Sequence, residues 1–243
     1  MPIQTTFKRY ELKYLLTQAQ YDDLRLCMQK HMMSDQYGRY KISNIYFDTP
    51  DYKVIRECLD HPKYKEKLRL RLYGDFSADK TVFIELKRKC NGFVYKKRMN
   101  LPQAQALPYL CENQSLCEHS QILNEIEYFK HIHPDLLPRV YLFYEREAFF
   151  AVADKDFRMT FDFNMTMRDC DVSLEKSNYD RKILSENYIV LEVKTVIGLP
   201  FWFIDFLNQN KLYKTSFSKY ATAYRRYILP TFTHTLRRLS HAQ

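Results

Sequence analysis

The sequence predicts an α+β fold: runs of strands interrupted by helices, packed as one domain or as a barrel with helices around it. Three observations predict it. Apolar and polar residues alternate through about eight segments, the period of a strand. Short turn signals separate consecutive segments, which implies hairpins and an antiparallel sheet. Aromatics make up 16% of the 243 residues, with 20 Tyr and 17 Phe, a composition that favours strands and large packed surfaces.

The first segment, residues 6 to 15 (TFKRYELKYL), places Phe7, Arg9, Glu11 and Lys13 on one face and Lys8, Tyr10, Leu12 and Tyr14 on the other. Thr17 with Gln20 three positions on forms a capping box, and Leu24, Cys27 and Met28 follow at helical spacing, so 17 to 31 reads as an amphipathic helix. Residues 40 to 48 (YKISNIYFD) form a strand that stops at Asp48-Thr49-Pro50-Asp51, where Pro50 forces a turn and an Asp can cap a short helix over about 50 to 57. Three strands follow at 63 to 75, 80 to 89 and 93 to 101, punctuated by Gly74-Asp75 and Asn91-Gly92. A helical region over 102 to 131 is broken by Pro108, and its stripe of Ile122, Ile126 and Phe129 reads as core packing. Strands resume at 139 to 152, 157 to 169 and 187 to 196. A helix then starts near Pro200 and docks Trp202, Phe203, Phe206 and Leu207, and SKYATAYRRYIL closes the chain as another helix.

The length fits one domain over 1 to 243, with no linker or repeat to divide it. Four Gly, at 38, 74, 92 and 198, are too few and too scattered for a Gly-rich phosphate loop or a dinucleotide fingerprint. The 38 Lys+Arg exceed the 29 Asp+Glu by nine, which points to an anionic partner: nucleic acid, an acidic membrane or a polyphosphate. The six Cys form no CxxC pair, so reduced thiols in a cytoplasmic protein are expected. The N-terminus has no apolar core region and no stretch reaches about 18 apolar residues, so neither a signal peptide nor a membrane span is expected. His131 and His133 sit at a predicted helix end and read as cap or surface residues, and the absence of a GxSxG elbow leaves no hydrolase triad to argue for.

The chemistry sits in four short segments: Arg69-Leu70-Arg71, Glu85-Leu86-Lys87, Lys96-Lys97-Arg98 and Glu192-Val193-Lys194. Each aims charges to one side of a strand. A buried charge without a partner costs several kcal/mol, so Glu85, Lys87, Glu192 and Lys194 need partners, water or a ligand. Arg146 and Arg158 extend the pattern. With Lys13, Arg69, Arg71, Lys87 and Lys96 they make seven basic residues, more than neighbouring Glu can pair, which suits a ligand carrying several negative charges. The same basic strands, interleaved with Tyr and Phe, could instead stack single-stranded nucleic acid on an open sheet.

The order FKRYELKYLL, NIYFDTPDY, LRLRLYG, FIELKRK, VYKKR, YEREAF, FRMTFD, VLEVK and SFSKYATAY, over residues 6 to 227, resembles the VTC domain, the catalytic module of polyphosphate polymerases, within the CYTH-like triphosphate tunnel metalloenzymes. That resemblance implies an eight-stranded antiparallel β-barrel, a triphosphate tunnel with flanking helices. It implies transfer of the terminal phosphate of ATP to polyphosphate, with Mn²⁺ or Mg²⁺ as cofactor. By position, Lys13, Arg69, Arg71, Lys87, Lys96, Arg146 and Arg158 resemble its phosphate ligands, and Lys219 resembles the lysine of its closing helix. Lys214 is carried with them, although the family often has its second Lys nearer to the SKY element, where this chain has Ser216. Glu192 resembles the metal ligand, with Glu11 beside it, and Lys87, Arg69, Arg71 and Glu192 are the expected catalytic set. The family's ExExK strand reads Arg9-Tyr10-Glu11-Leu12-Lys13 here, with one carboxylate fewer, which favours holding a long polyanion over two-metal hydrolysis. An inorganic triphosphatase or NTPase on the same tunnel, and a non-catalytic polyphosphate or nucleic-acid binding module, are the alternatives. Nucleic acid is not the expected partner. A separate membrane partner would be required for transport.

Overall fold

The structure is a computed structural model and describes residues 10–60, 63–77, 79–91, 93–112, 114, 116, 120–184 and 188–232. Arg9, Phe7 and Gly92 lie outside the described residues. The elements run β1 (Tyr10–Leu16), α1 (Gln18–Met28), β2 (Met32–Asp48), α2 (Lys53–Asp60), β3 (Tyr64–Tyr73), β4 (Thr81–Cys90), β5 (Phe93–Pro102), α3 (Gln103–Cys111), α4 (Gln121–Ile132), β6 (Leu137–Ala151), β7 (Arg158–Arg168), β8 (Arg181–Lys182), β9 (Ile189–Thr195), α5 (Phe201–Gln209) and α6 (Lys219–Ala223), which runs on into a π-helical turn over Tyr224–Ile228.

The fold is α+β, a mostly antiparallel sheet with flanking helices. Strand order is β1-β9-β7-β6-β2-β3-β4-β5, with β8 paired to β7. Among the described residues the order has two ends, β1 and β5, so their pairing does not close the strands into the expected barrel. The chain forms two compact units; three of the boundaries fall within β2, β6 and β7, and the other two follow Ile183 and Phe217.

The first unit is the described part of Met1–Tyr40, Tyr144–Met165 and Leu184–Phe217. Here β9 pairs with β1 on one side and β7 on the other, both antiparallel. Alternation then sorts the side chains. Leu12, Tyr14 and Leu16, Met159, Phe161 and Phe163, and Ile189, Leu191 and Val193 share one face, which α1 and α5 cover with Tyr21, Leu24, Met28, Phe203 and Phe206. The predicted capping box is present: Thr17 Oγ1 accepts from Gln20 N, and Gln20 Oε1 accepts from Thr17 N at 3.0 Å. The helix ends at Met28, three residues short of the expected 31, and β2 begins at Met32, eight before the expected 40.

The second unit is the described part of Lys41–Phe143, Thr166–Ile183 and Ser218–Gln243. The antiparallel ladder β2-β3-β4-β5 puts Ile45, Phe47, Leu68, Leu70, Leu72, Val82, Ile84, Leu86, Met99 and Leu101 on one face, under α3 and α4. Pro108 lies inside α3 without ending it. Ile126 and Phe129 are buried as the stripe predicts, and His133 caps α4 in a buried position where desolvation lowers its pKa. The two-residue β8 has no alternation long enough to be legible in the sequence.

Candidate functional site

The faces opposite the two cores carry the charged residues. In the second unit the register is a grid. Asn44, Arg71, Phe83 and Asn100 lie abreast on β2, β3, β4 and β5; Tyr46, Arg69, Glu85 and Arg98 form the next row; Lys67, Lys87 and Lys96 form a third. Period-two alternation builds it, because side chains two positions apart on a strand point to the same face of the sheet. These three rows thus hold six cations, Lys67, Arg69, Arg71, Lys87, Lys96 and Arg98, and one carboxylate, Glu85.

That carboxylate is the hub. Glu85 is 1% exposed. Its Oε2 accepts from Arg69 Nε at 2.8 Å and lies 2.7 Å from Arg69 Nη2 and 3.6 Å from Arg71 Nη1, while its Oε1 lies 2.6 Å from Lys96 Nζ. Burial would raise its pKa, but Arg69, Arg71 and Lys96 overcome that and hold it at about 2. Arg71 also donates to Asn44 Oδ1 at 2.9 Å, and Arg69 donates to the Tyr46 phenol at 2.9 Å. The cations act on one another as well. Loss of hydration, with Arg71 and Arg69 nearby, holds Lys96 down at about 8 although Glu85 opposes it. Desolvation lowers Lys67, and Arg69, Lys67 and Arg71 bring the buried Tyr46 phenol down to about 8.

Three lysines abreast on neighbouring strands repel one another, a cost that a polyanion on this face would offset. Lys67 Nζ lies 3.4 Å from Ser218 Oγ, the residue before α6, so this row meets the helix that begins with Lys219.

The first unit's face is different. Glu11 and Lys194 are opposite each other, as are Lys13 and Glu192, so the four form a quartet of alternating sign. Lys194 Nζ is 2.8 Å from Glu192 Oε1, and Lys13 Nζ is 3.8 Å from Glu192 Oε2 and 3.3 Å from Glu11 Oε1. Lys13 Nζ also donates to Phe217 O at 3.0 Å. Arg158 stands opposite Lys194 on β7, exposed, and donates to Lys155 O at 3.1 Å. Arg146 forks onto Asp162, which is 0% exposed, through Nε at 2.6 Å and Nη2 at 2.8 Å. Desolvation opposes the Arg146 charge, but Asp162 more than compensates and raises its pKa well above the ordinary value. Lys214 is exposed in the segment before α6, next to Thr215, whose N donates to Lys13 O at 2.8 Å.

The expected site residues therefore fall into two groups. Arg69, Arg71, Lys87, Lys96 and Lys219 belong to the second unit; Glu11, Lys13, Arg146, Arg158, Glu192 and Lys214 belong to the first. Sequence reasoning missed Lys67, Tyr46 and Asp162, and it named Arg98 in a charged segment without carrying it as a site residue. Lys67 and Arg98 share parity with Arg69 and Lys96, and that was a usable signal. Tyr46 and Asp162 gave none, because a Tyr or Asp in an alternating strand has no distinguishing pattern. Among the described residues no group of three or more His, Cys, Asp or Glu converges as a metal site.

The VTC domain family model matches residues 8–228. The chain belongs to the VTC domain family. Among solved structures, a Bacillus halodurans protein described as a "putative adenylate cyclase" shares 12% identity at a TM-score of 0.53, over 91% of this chain and 99% of that one. A Vibrio parahaemolyticus protein of the same description shares 12% identity at a TM-score of 0.49, over 90% and 98%. At such identity the Bacillus likeness bears on the fold of this VTC domain alone. No curated protein matches the sequence. Family and fold support a phosphate-handling protein, and no helix among the described residues is long and apolar enough to cross a membrane.

Proposed function

We propose that this VTC domain is a metal-dependent polyphosphate polymerase that transfers the terminal phosphate of ATP to a polyphosphate chain. The observation that carries the reading is the row of Lys67, Lys87 and Lys96 beside the Arg69–Glu85–Arg98 row: five cations, with Arg71 in the next row, share a face with the buried Glu85, which suits a polyanion. In this reading Arg69, Arg71 and Lys87 hold phosphate oxygens and offset the charge that develops on them, and Lys13, Lys96, Arg146, Arg158, Lys214 and Lys219 add phosphate contacts. A terminal oxygen of the acceptor chain attacks the γ-phosphorus; the P–O bond to the β-phosphate breaks, and ADP leaves. No protein side chain is phosphorylated. Closure of the strands into an eight-stranded tunnel, action of 1–243 as one domain and a cytoplasmic location belong to the proposal and rest on the resemblance and the sequence.

In this reading the metal belongs to the first unit's quartet. Glu192 and Glu11 offer oxygen donors only, which suits Mg²⁺ or Mn²⁺, and two carboxylates suffice where water and substrate complete the shell. Such an ion neutralises charge on phosphate oxygens. Lys13 and Lys194 would compete with it for the same carboxylates, so metal affinity should rise with substrate present.

The test is to incubate the protein with ATP and Mn²⁺, with and without a short phosphate primer, and to resolve the products on a polyphosphate-stained gel. Long chains that vanish in Lys87→Ala and Glu192→Ala support the polymerase. Release of orthophosphate alone makes it a triphosphatase on the same residues, and binding without turnover makes it a polyanion-binding module.

A further inference from the structure

Asp48 ends β2 and is 0% exposed. Its Oδ1 accepts from Thr49 N and Val54 N, both at 2.8 Å, and its Oδ2 accepts from Ile55 N at 3.0 Å and from the Tyr220 hydroxyl at 2.7 Å. Two of these donors, Val54 N and Ile55 N, lie in the first turn of α2, so Asp48 caps that helix, and a third is the amide of the next residue, Thr49. The fourth comes from the far end of the chain, 172 residues on. Burial lifts the Asp48 carboxyl above its usual range and the four donors oppose that; burial and Asp48 raise the Tyr220 phenol well above its own, so Tyr220 stays the donor.

Tyr220 is 1% exposed and lies against Tyr46, ring centroids 4.7 Å apart at 29°. The Lys67 ammonium is 5.8 Å from the Tyr220 centroid. The Tyr46 hydroxyl in turn accepts from Arg69, whose other nitrogens hold Glu85. One continuous set of contacts thus joins the α2 cap to Arg69, and it passes through α6. That helix begins at Lys219 and runs on into the π-helical turn over Tyr224–Ile228, and it is Tyr220, in its first turn, that touches both Tyr46 and Asp48. Lys219 and Ser218 travel with it.

We infer that Asp48 and Tyr220 are positioning residues for phosphate binding: their hydrogen bond seats α6 so that Ser218 meets Lys67 and Tyr46 aims Arg69. The inference rests on the phosphate-binding part of the proposed function and not on polymerisation. Neither residue need touch phosphate. A hydrogen bond from a neutral phenol to a buried carboxylate is worth about 1.5–3 kcal/mol, about 10- to 150-fold if all of it is felt at the ligand.

The test measures tripolyphosphate affinity by calorimetry on the full chain, beside Tm and the KM and kcat for ATP. Tyr220→Phe keeps the ring stack and leaves Asp48 its three backbone donors, so the chain should fold with a small loss in Tm. Its tripolyphosphate Kd and ATP KM should rise about 10-fold while kcat changes less than about 2-fold. Asp48→Asn should match it at the ligand, and the double variant should be no worse there than either single, because both remove one bond. If Asp48→Asn does not fold, Tyr220→Phe decides alone. A lower Tm with unchanged Kd and KM would make the pair purely structural and overturn the inference. Wild-type protein that binds tripolyphosphate without making polymer would sink the polymerase reading and leave this test intact; wild-type protein that does not bind tripolyphosphate would overturn both.

Discussion

The charged face of the β2–β5 ladder and that of the β1-β9-β7 ladder are built by the same alternation, yet they balance charge in opposite ways. On the first, the three central rows hold six cations and one carboxylate, and that carboxylate is 1% exposed. On the second, Glu11, Lys13, Glu192 and Lys194 alternate in sign across two strands, and Arg146 is matched by Asp162. A face with surplus cations stores repulsion that an anion relieves; a balanced one satisfies itself and can exchange an ammonium for a metal ion. Under the proposed function, that difference gives the larger share of phosphate affinity to the ladder and metal dependence to the quartet.

The largest expected difference is in stability. Glu85→Gln should cost about 3–5 kcal/mol in urea unfolding at pH 7, because it leaves Arg69, Arg71 and Lys96 without their buried counter-charge. Glu192→Gln should cost under about 1.5 kcal/mol, its partners being part-exposed lysines. The Glu85 carboxyl is held at about 2 against an ordinary 4.5, so its stabilisation is full above pH 4.5 and is lost as pH falls toward 2. Integrated, that is about 3 kcal/mol, and the gap between wild type and Glu85→Gln should close over that window. Equal costs for the two glutamates at pH 7 would erase the contrast.

Binding comes next. Arg69→Ala and Lys87→Ala should each weaken tripolyphosphate about 30- to 100-fold by calorimetry, and Arg158→Ala under about 5-fold, since Arg158 is exposed on the balanced face. Similar losses at all three would mean that local charge excess does not set affinity. A sharper division concerns the metal: Glu192→Ala should cut Mn²⁺-dependent turnover more than about 100-fold while metal-free tripolyphosphate affinity stays within about 3-fold. Loss of both together would tie the quartet to phosphate rather than metal.

The smallest effect is with pH. Lys96 and Tyr46 both titrate at about 8, one losing a positive charge and the other gaining a negative one as pH rises. Both changes remove net positive charge from the ladder face, so tripolyphosphate affinity should fall about 3- to 10-fold from pH 7 to 9. Lys96→Arg, charged throughout, should flatten part of that fall, and Arg158→Ala should leave its slope as it is.

Most strands were legible because one face of each ladder is apolar, and period two is the signature of such a strand. LRLRL and IELKR announced both their core face and their charged face. The helix at 18 was legible from Thr17 and Gln20. What was not legible was pairing. Glu85 reads as one more charged residue in the sequence; only the register that sets it between Arg69 and Arg98 makes it a hub. Arg146 reads as a phosphate ligand, and its fork onto Asp162 comes from folding two strands together. Asp48 was legible as a turn cap, but its bond to Tyr220 spans a separation that no local pattern encodes.

The sequence by itself determined that this is an α+β chain with basic strand faces and an ordered set of motifs resembling VTC domains, because side-chain direction in a strand depends only on parity. Tertiary structure decided which charges neutralise one another and which are left in excess. That depends on cross-strand register and on the return of α6 to Asp48, and Coulomb energies fall with distances that the sequence does not state.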